Sequence, residues 1–362
     1  MSGLSVIDRY IGGRFLQSWA MVLAGFVVLF TAIDFMETIG YFMGASFTAG
    51  RILLYFAAQL PKVIGLMTPV AALVATLMVL NILARNSEIV AFKAGGVSLF
   101  RLSRPFLAAG LGLSLVSFAL ADGLSHRTTA VANKIKEEAR RGHLPSTVVK
   151  DVWIKGVRMV EHLDVYDEAD GTVVGLSLMF TGEDQSAERR LSARRGRFIE
   201  GRLELEEVLD KTYGPARTFT LTSHDRLTLE NWPAPPPGLS RRADKSSEEM
   251  SSLELWRNIR RLSDEGFGPL RQRVDLHLKF TFALLPLVMV MVGLPLGFWR
   301  EKGGSAALGI CLGLAGSFIY LIAMELARSL GYAGLLPPAA AAWLPNILFT
   351  LFGAWLFSYI RQ

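Results

Sequence analysis

Cysteine is almost missing from this chain: Cys311 is the single one among 362 residues. No disulfide can therefore form within it, whichever compartment its loops face. Its histidines, His126, His143, His162, His224 and His277, are scattered without metal-ligand spacing. No phosphate-cradling loop of the form G-x-x-x-x-G-K-[ST] occurs, nor an H-E-x-x-H pair, nor a G-x-S-x-G elbow. These absences argue that the chain is not itself an enzyme. The paired glycines at 12, 95 and 303 fall at helix boundaries, where turn and capping roles suffice.

Charge is also scarce, at 19% of residues against 51% apolar. That balance lies outside the soluble globular range and points to a membrane protein. Apolar runs with few charges occupy roughly 15–35, 52–83, 105–121, 280–299, 305–327 and 339–360. Each is near or above the ~20 residues needed to cross a bilayer core, which predicts six transmembrane helices. The first run is of full spanning length and lacks a following small-residue cleavage pattern, so it reads as a helix rather than a cleavable leader.

Loop charge orients these spans. Arg9, Arg14, Arg85, Lys93, Arg101, Arg104, Arg300, Lys302 and Arg361 all fall on the side of the N-terminus, whereas the opposite short loops carry only Arg51 and Arg328. The positive-inside rule then places both termini in the cytoplasm. The long segment between spans three and four, about 125–270, faces the other way and is too long to be a structureless loop. It opens with the charged helical stretch "HRTTAVANKIKEEARRG", which extends span three. Beyond Pro145 the period changes to two. Val157, Met159, Leu163 and Val165 alternate with polar residues, as do Ile199, Leu203, Leu205 and Leu209, and Phe219 and Leu221. Turn signals such as "DEADG" separate these strands and "PAPPPG" at 233–238 ends them, so a β-sandwich or jelly roll is expected. An amphipathic stretch around Leu253–Leu262 leads back to span four.

Ionisable residues inside spans carry more information, because each is costly there unless it faces a cavity or a partner. Asp34 and Glu37 lie three apart on one face of span one, Lys62 follows Pro61 in span two, and Glu325 falls near an end of span five. The acids can snorkel to the interface or face a cavity. Lys62 is the stronger evidence for a polar or ligand-lined cavity, with Pro61 and Pro69 allowing local bends. Between spans two and three, "LARNSEIVAFKAGG" forms a polar island. Asn86 or Ser87 can cap a short helix, Glu88 suits its first turn, Lys93 its last, and Gly95 or Gly96 its stop. With Ile89, Val90 and Phe92 apolar, the island reads either as a plain hairpin or as a short helix seated in a groove of another protein.

These residues resemble a known family. The opening "VIDRYIGGRFLQSW", the run "LPKVIGLMTPVAALVATLMVLNILARNSEIVAFKAGGVS" and the tryptophan of "DVWIKG" look like the LptF/LptG (YjgP/YjgQ) permeases, with "DRYIG" on the LptG side of that family. The similarity covers essentially the whole chain. It implies a non-catalytic permease subunit of an ATP-driven lipopolysaccharide exporter in the bacterial inner membrane. It also implies an LptF-like partner permease, an LptB-like ATPase dimer that holds the ATP, an LptC-like protein and a periplasmic LptA-like bridge. No cofactor is implied for this chain. The island would be the coupling helix, with Arg85, Ser87, Glu88 and Phe92 toward the ATPase. Lys62 and Lys136 match basic residues that meet the lipid's phosphates. Span one departs from the pattern: Asp34 and Glu37 stand where well-known LptG members carry lysines.

The expected architecture is a membrane α-helical protein of six transmembrane helices, three plus three, with an inserted periplasmic all-β jelly-roll domain. Its parts would be 1–124 with the coupling helix at about 85–95, then 125–270, then 271–362. The rival from another class is a membrane-anchored periplasmic scaffold whose spans serve only as anchor. A secondary transporter is weaker, since no inverted repeat is evident.

Overall fold

The structure, a computed structural model, describes residues 6–44, 48–141, 148–155, 159–167, 169–182, 187–199, 201–213, 218–230, 232, 246–264, 268–298 and 306–359. Six of its helices contain stretches long and apolar enough to cross a membrane: Val6–Met43, Ala49–Arg85, Leu99–Ala139, Leu270–Phe298, Gly313–Tyr332 and Pro338–Ser358. Three precede a β-sheet and three follow it, so the protein is a membrane helical protein with an inserted β domain. The chain divides into two compact units, one of residues 1–140 with 246–362 and one of residues 141–245.

In the helical unit, α1 is Val6–Gly44, α2 Ala49–Arg85, α3 Glu88–Ala94, α4 Leu99–Leu120 and α5 His126–Arg141. After the β unit come α6, Ser252–Asp264, α7, Leu270–Phe298, α8, Ala306–Tyr332, and α9, Pro338–Ser358. A π-helical stretch, Ala121–Ser125, joins α4 to α5 without a break, so the charged extension of span three is one continuous rod. The most enclosed helices are α2 and α7, each with fifteen buried residues. Small residues let them approach: a Cβ on Gly293 would lie 2.9 Å from Leu73 Cδ1, and one on Gly297 would lie 2.3 Å from Leu80 Cδ1. Around them, α1 and α8 leave large apolar side chains exposed, among them Met21, Val28, Met36, Phe318 and Ile322. Such faces suit lipid or another helix rather than water. A buried polar link ties the last three helices. Tyr320 donates to Asn346 Oδ1 at 2.5 Å, and Asn346 donates to the Thr281 carbonyl at 2.9 Å.

The β unit is one antiparallel sheet of six described strands in sequential order: β1 Val148–Lys155, β2 Met159–Asp167, β3 Thr172–Thr181, β4 Ala187–Ile199, β5 Arg202–Tyr213 and β6 Phe219–Leu229. Each strand pairs with its sequence neighbours, so the described strands form one coiled meander without crossovers. The coiling is visible in one ring contact. Phe180 pairs with Arg189 at one end of β3, while the Trp232 N–H bonds the Gly201 carbonyl at the β4–β5 turn, the other end of the sheet. Those ends lie roughly 26 Å apart along a strand. The Phe180 and Trp232 ring centroids are nevertheless 6.3 Å apart.

A crease runs across the whole sheet. The five ladders skip the same row, Asp151, Asp164, Gly175, Arg194, Glu207 and Asp225. Gly175 and Glu207 adopt positive φ there, 69° and 54°. On either side the inward parity changes: Leu163, Leu176, Ala193 and Val208 point inward before the row, Tyr166, Val173, Gly196 and Leu205 after it. This corrects the strict alternation read from sequence. Leu209, Ile199, Phe219 and Leu221 are exposed, and Val165 is only half-buried, because two consecutive residues face outward at the crease. Val157 and "PAPPPG" lie outside the described residues.

Candidate functional site

Among the described residues, a cavity of about 370 Å³ opens within the helical unit, walled by α2, α4, the π-helical stretch, α5, α7, α8 and the single 3₁₀ turn Ser247–Glu249. Its apolar wall includes Pro61, Leu66, Leu278, Phe282 and Ala283, and its small polar residues include Ser117, Ser125 and Thr129. Six charged residues line it: Lys62, Lys279 and Arg328 against Glu248, Asp275 and Glu325. A π-helical turn is a common mark of functional positions in helices, and here Ala121 and Ser125 of that turn line the cavity.

Lys62 is where the sequence pointed, and its ammonium meets Glu248 Oε2 at 2.6 Å. Arg328 is held on several sides. Its Nε donates to the Tyr332 hydroxyl at 2.8 Å, and its guanidinium lies 3.5 Å from Glu325 and 3.7 Å from Asp275. Tyr332 in turn donates to Asp275. Lys279 donates to the Met250 carbonyl. Outside the spans, Glu248 keeps its carboxyl below the usual glutamate range. Burial works against its ionisation, but the Lys62 hydrogen bond and the charges of Lys62, Arg328 and Lys279 outweigh it.

The structure separates the other predicted lipid-facing residues from this cavity. Asp34 turns toward α2, where Tyr55 donates to its Oδ1 at 3.4 Å, while Glu37 is exposed. Lys136 is half-buried on α5 and does not line the cavity. Glu248, Asp275 and Lys279 were missed in the sequence, and Arg328 was read only as a loop charge. Lys279 and Asp275 sit just before the apolar run that marked span four. Nothing local connects Glu248 to Lys62, 186 positions away.

The polar island folds as the short helix α3, of seven residues. Ser87 stands before it with φ 57° and makes no side-chain cap, so the capping role foreseen for it is unfilled. Gly96, at φ 80°, ends the turn in the left-handed region that glycine adopts at little cost, and Val97 N–H closes back on the Phe92 carbonyl at 2.9 Å. Ile89 is fully buried and Phe92 packs against the chain's own core with Ile11, Phe15 and Leu83. Arg85, Ser87 and Val90 are exposed. Glu88 is held from two sides: Asn86 donates to it at 3.1 Å and the Tyr10 hydroxyl at 3.0 Å. Lys62 lies about 35 Å along α2 from Arg85, so one continuous helix joins hairpin and cavity.

Together these features define a class: a polytopic membrane protein whose two three-helix halves flank a β domain and whose helices hold a charged cavity. The family model of the lipopolysaccharide export system permease LptF/LptG matches residues 9–359, and the chain belongs to that family. It is 22% identical to the lipopolysaccharide export system permease protein LptG of Escherichia coli (strain K12), over 98% of this chain and 99% of that protein. It is likewise 22% identical to LptG of Haemophilus influenzae (strain ATCC 51907 / DSM 11121 / KW20 / Rd), over 99% of this chain and all of that protein.

Proposed function

We propose that this chain is the transmembrane subunit of an ATP-driven exporter that extracts lipopolysaccharide from the inner membrane and hands it to periplasmic β domains. The observation that carries the reading is Lys62: a lysine on a membrane-spanning helix, facing a cavity with an apolar wall. A cation there is costly unless an anionic ligand or partner repays it. An amphiphile with phosphate groups and acyl chains matches both parts of the lining. Lys136, Asp34 and Glu37, which do not line the cavity, would meet the lipid only outside it.

In this reading ATP is hydrolysed by a separate LptB-like dimer, and its motion enters through α3. Arg85, Ser87 and Glu88 offer the exposed or half-exposed polar face, whereas Phe92 anchors the helix to its own chain. An LptF-like permease completes the transmembrane pair, and LptC-like and LptA-like proteins receive the lipid. Both termini lie in the cytoplasm and the β domain in the periplasm.

The test is purification from the native membrane in mild detergent with identification of what co-purifies. A second permease, an ATPase and lipopolysaccharide are expected. Recovery with neither ATPase nor glycolipid, while other membrane complexes survive, would favour the scaffold. Glu88→Ala supplies the coupling arm, with ATPase association or lipid export lost while the chain still inserts and folds.

A further inference from the structure

The 3₁₀ turn that carries Glu248 is fastened on both sides. Glu249, almost fully buried, accepts a hydrogen bond from Asn133 on α5. The Met250 carbonyl accepts from Lys279 on α7. The Ser252 N–H donates to Asp122 in the π-helical stretch at 2.5 Å. The strap therefore holds the Glu248 carboxylate over the cavity, 2.6 Å from Lys62 Nζ, and both residues line that cavity. Of the three cations there, Arg328 is bound into the Asp275–Tyr332–Glu325 network and Lys279 holds the strap's backbone. Lys62 differs: its partner Glu248, 55% exposed, sits on the 3₁₀ turn and not on a spanning helix, as Asp275 and Glu325 do.

We propose that Glu248 is a specificity-determining residue: its carboxylate occupies Lys62 in place of a ligand's anionic group, and a phosphate monoester on an entering amphiphile displaces it where a phosphodiester does not. The idea rests on the reading that Lys62 meets the lipid headgroup. A carboxylate presents one charge and two oxygens. A phosphodiester also presents one charge and two free oxygens, so it gains nothing over a partner already tethered at high effective concentration. A phosphate monoester brings about −1.5 to −2 charges and three strong acceptor oxygens. A half-exposed ion pair is weak, so this surplus suffices to open it. The arrangement penalises the wrong ligand instead of adding attraction for the right one. The bulk phospholipids of a membrane, which are phosphodiesters in large excess, are the competitors that such a device excludes.

The experiment uses the full chain purified with its partner subunits. Binding is measured for a bisphosphorylated acylated disaccharide and for phosphatidylglycerol, in wild type, Glu248→Gln, Glu248→Asp and Lys62→Gln. Glu248→Gln is expected to tighten phosphatidylglycerol binding roughly two- to fivefold, the equilibrium equivalent of one such pair, and to lower the monoester-to-diester preference by that factor. Glu248→Asp should restore the preference. An unchanged preference in Glu248→Gln, or equal weakening of both lipids, overturns the selective role while leaving the headgroup reading standing if Lys62→Gln still loses the phosphorylated disaccharide. Should Lys62→Gln bind that glycolipid as wild type does, the headgroup reading itself falls and takes this proposal with it.

Discussion

The Tyr10 hydroxyl, near the start of α1, donates to both carboxylate oxygens of Glu88 at the head of α3, at 3.2 and 3.0 Å. The two residues are 78 positions apart, and their bond pins the hairpin to the first span. It also turns one edge of the Glu88 carboxylate inward, so whatever contacts this acid meets a preoriented group.

Tyr10→Phe should therefore loosen the hairpin without unfolding the chain. A single hydrogen bond contributes about 0.5–1.5 kcal/mol, so amide exchange across residues 88–94 should speed roughly two- to tenfold while thermal stability in detergent barely moves. Unchanged exchange would mean that Ile89 and Phe92, packed in the core, hold the helix unaided.

Gly297→Val tests the approach of α2 and α7. A Cβ at 297 would lie 2.3 Å from Leu80 Cδ1 and 3.0 Å from its Cβ, so repacking Leu80 alone cannot clear it. Overpacking of this kind costs about 1–3 kcal/mol, and a lower unfolding temperature of the detergent-solubilised chain is expected. A Cβ at Gly316, on α8, meets nothing within 4 Å, so Gly316→Val serves as the control.

Glu161, 3% exposed on β2, has its pKa pushed up to about 7 by burial. The nearby Trp232 indole opposes this. Its Nε1 and Glu161 Oε1 nonetheless make no hydrogen bond, so desolvation governs. A carboxyl raised in the folded state binds more protons folded than unfolded. Stability is then greatest below about 4.5, falls as pH rises toward 7, and levels off above, with a loss on the order of 3 kcal/mol. Glu161→Gln should flatten that profile, read by unfolding at pH 5 and pH 8, and should abolish any titration of Trp232 fluorescence near neutrality. A profile equally steep in the variant would assign the pH dependence elsewhere.

Gly175→Ala tests the crease. Its φ of 69° disfavours any side chain, and a Cβ would fall 2.0 Å from Asp164 Oδ2. A loss of about 1–3 kcal/mol is expected in the β unit. Adding Asp164→Ala should recover the clash but not the backbone strain, so the double variant should cost less than the two singles summed. Strict additivity would show that Asp164 simply swings away.

Much of this protein is legible locally. Six apolar runs, the period-two stretches of the insertion and the polar island each announce themselves within a window of one element. The crease is not legible in that way. Alternation such as "TFTLT" is what a flat strand writes, whereas each of β2–β6 places two consecutive residues outward, at 164–165, 174–175, 194–195, 206–207 and 225–226. A single parity change looks like noise in one strand and becomes a line only when five ladders put the positions side by side. The packing of Phe92 is hidden for a related reason: its apolar character is visible locally, but not that its own chain has a core against which it packs.

The sequence by itself determined the class of protein, the number of spans, the inserted β domain and the presence of Lys62 within a span, because hydropathy, period and the cost of a charge in an apolar run are properties of neighbouring residues. Tertiary structure alone decided what faces Lys62, which cations join it, and how a single meander coils until Trp232 reaches Phe180. Those relations join residues tens to hundreds of positions apart, and their energy depends on distances that only the folded chain creates.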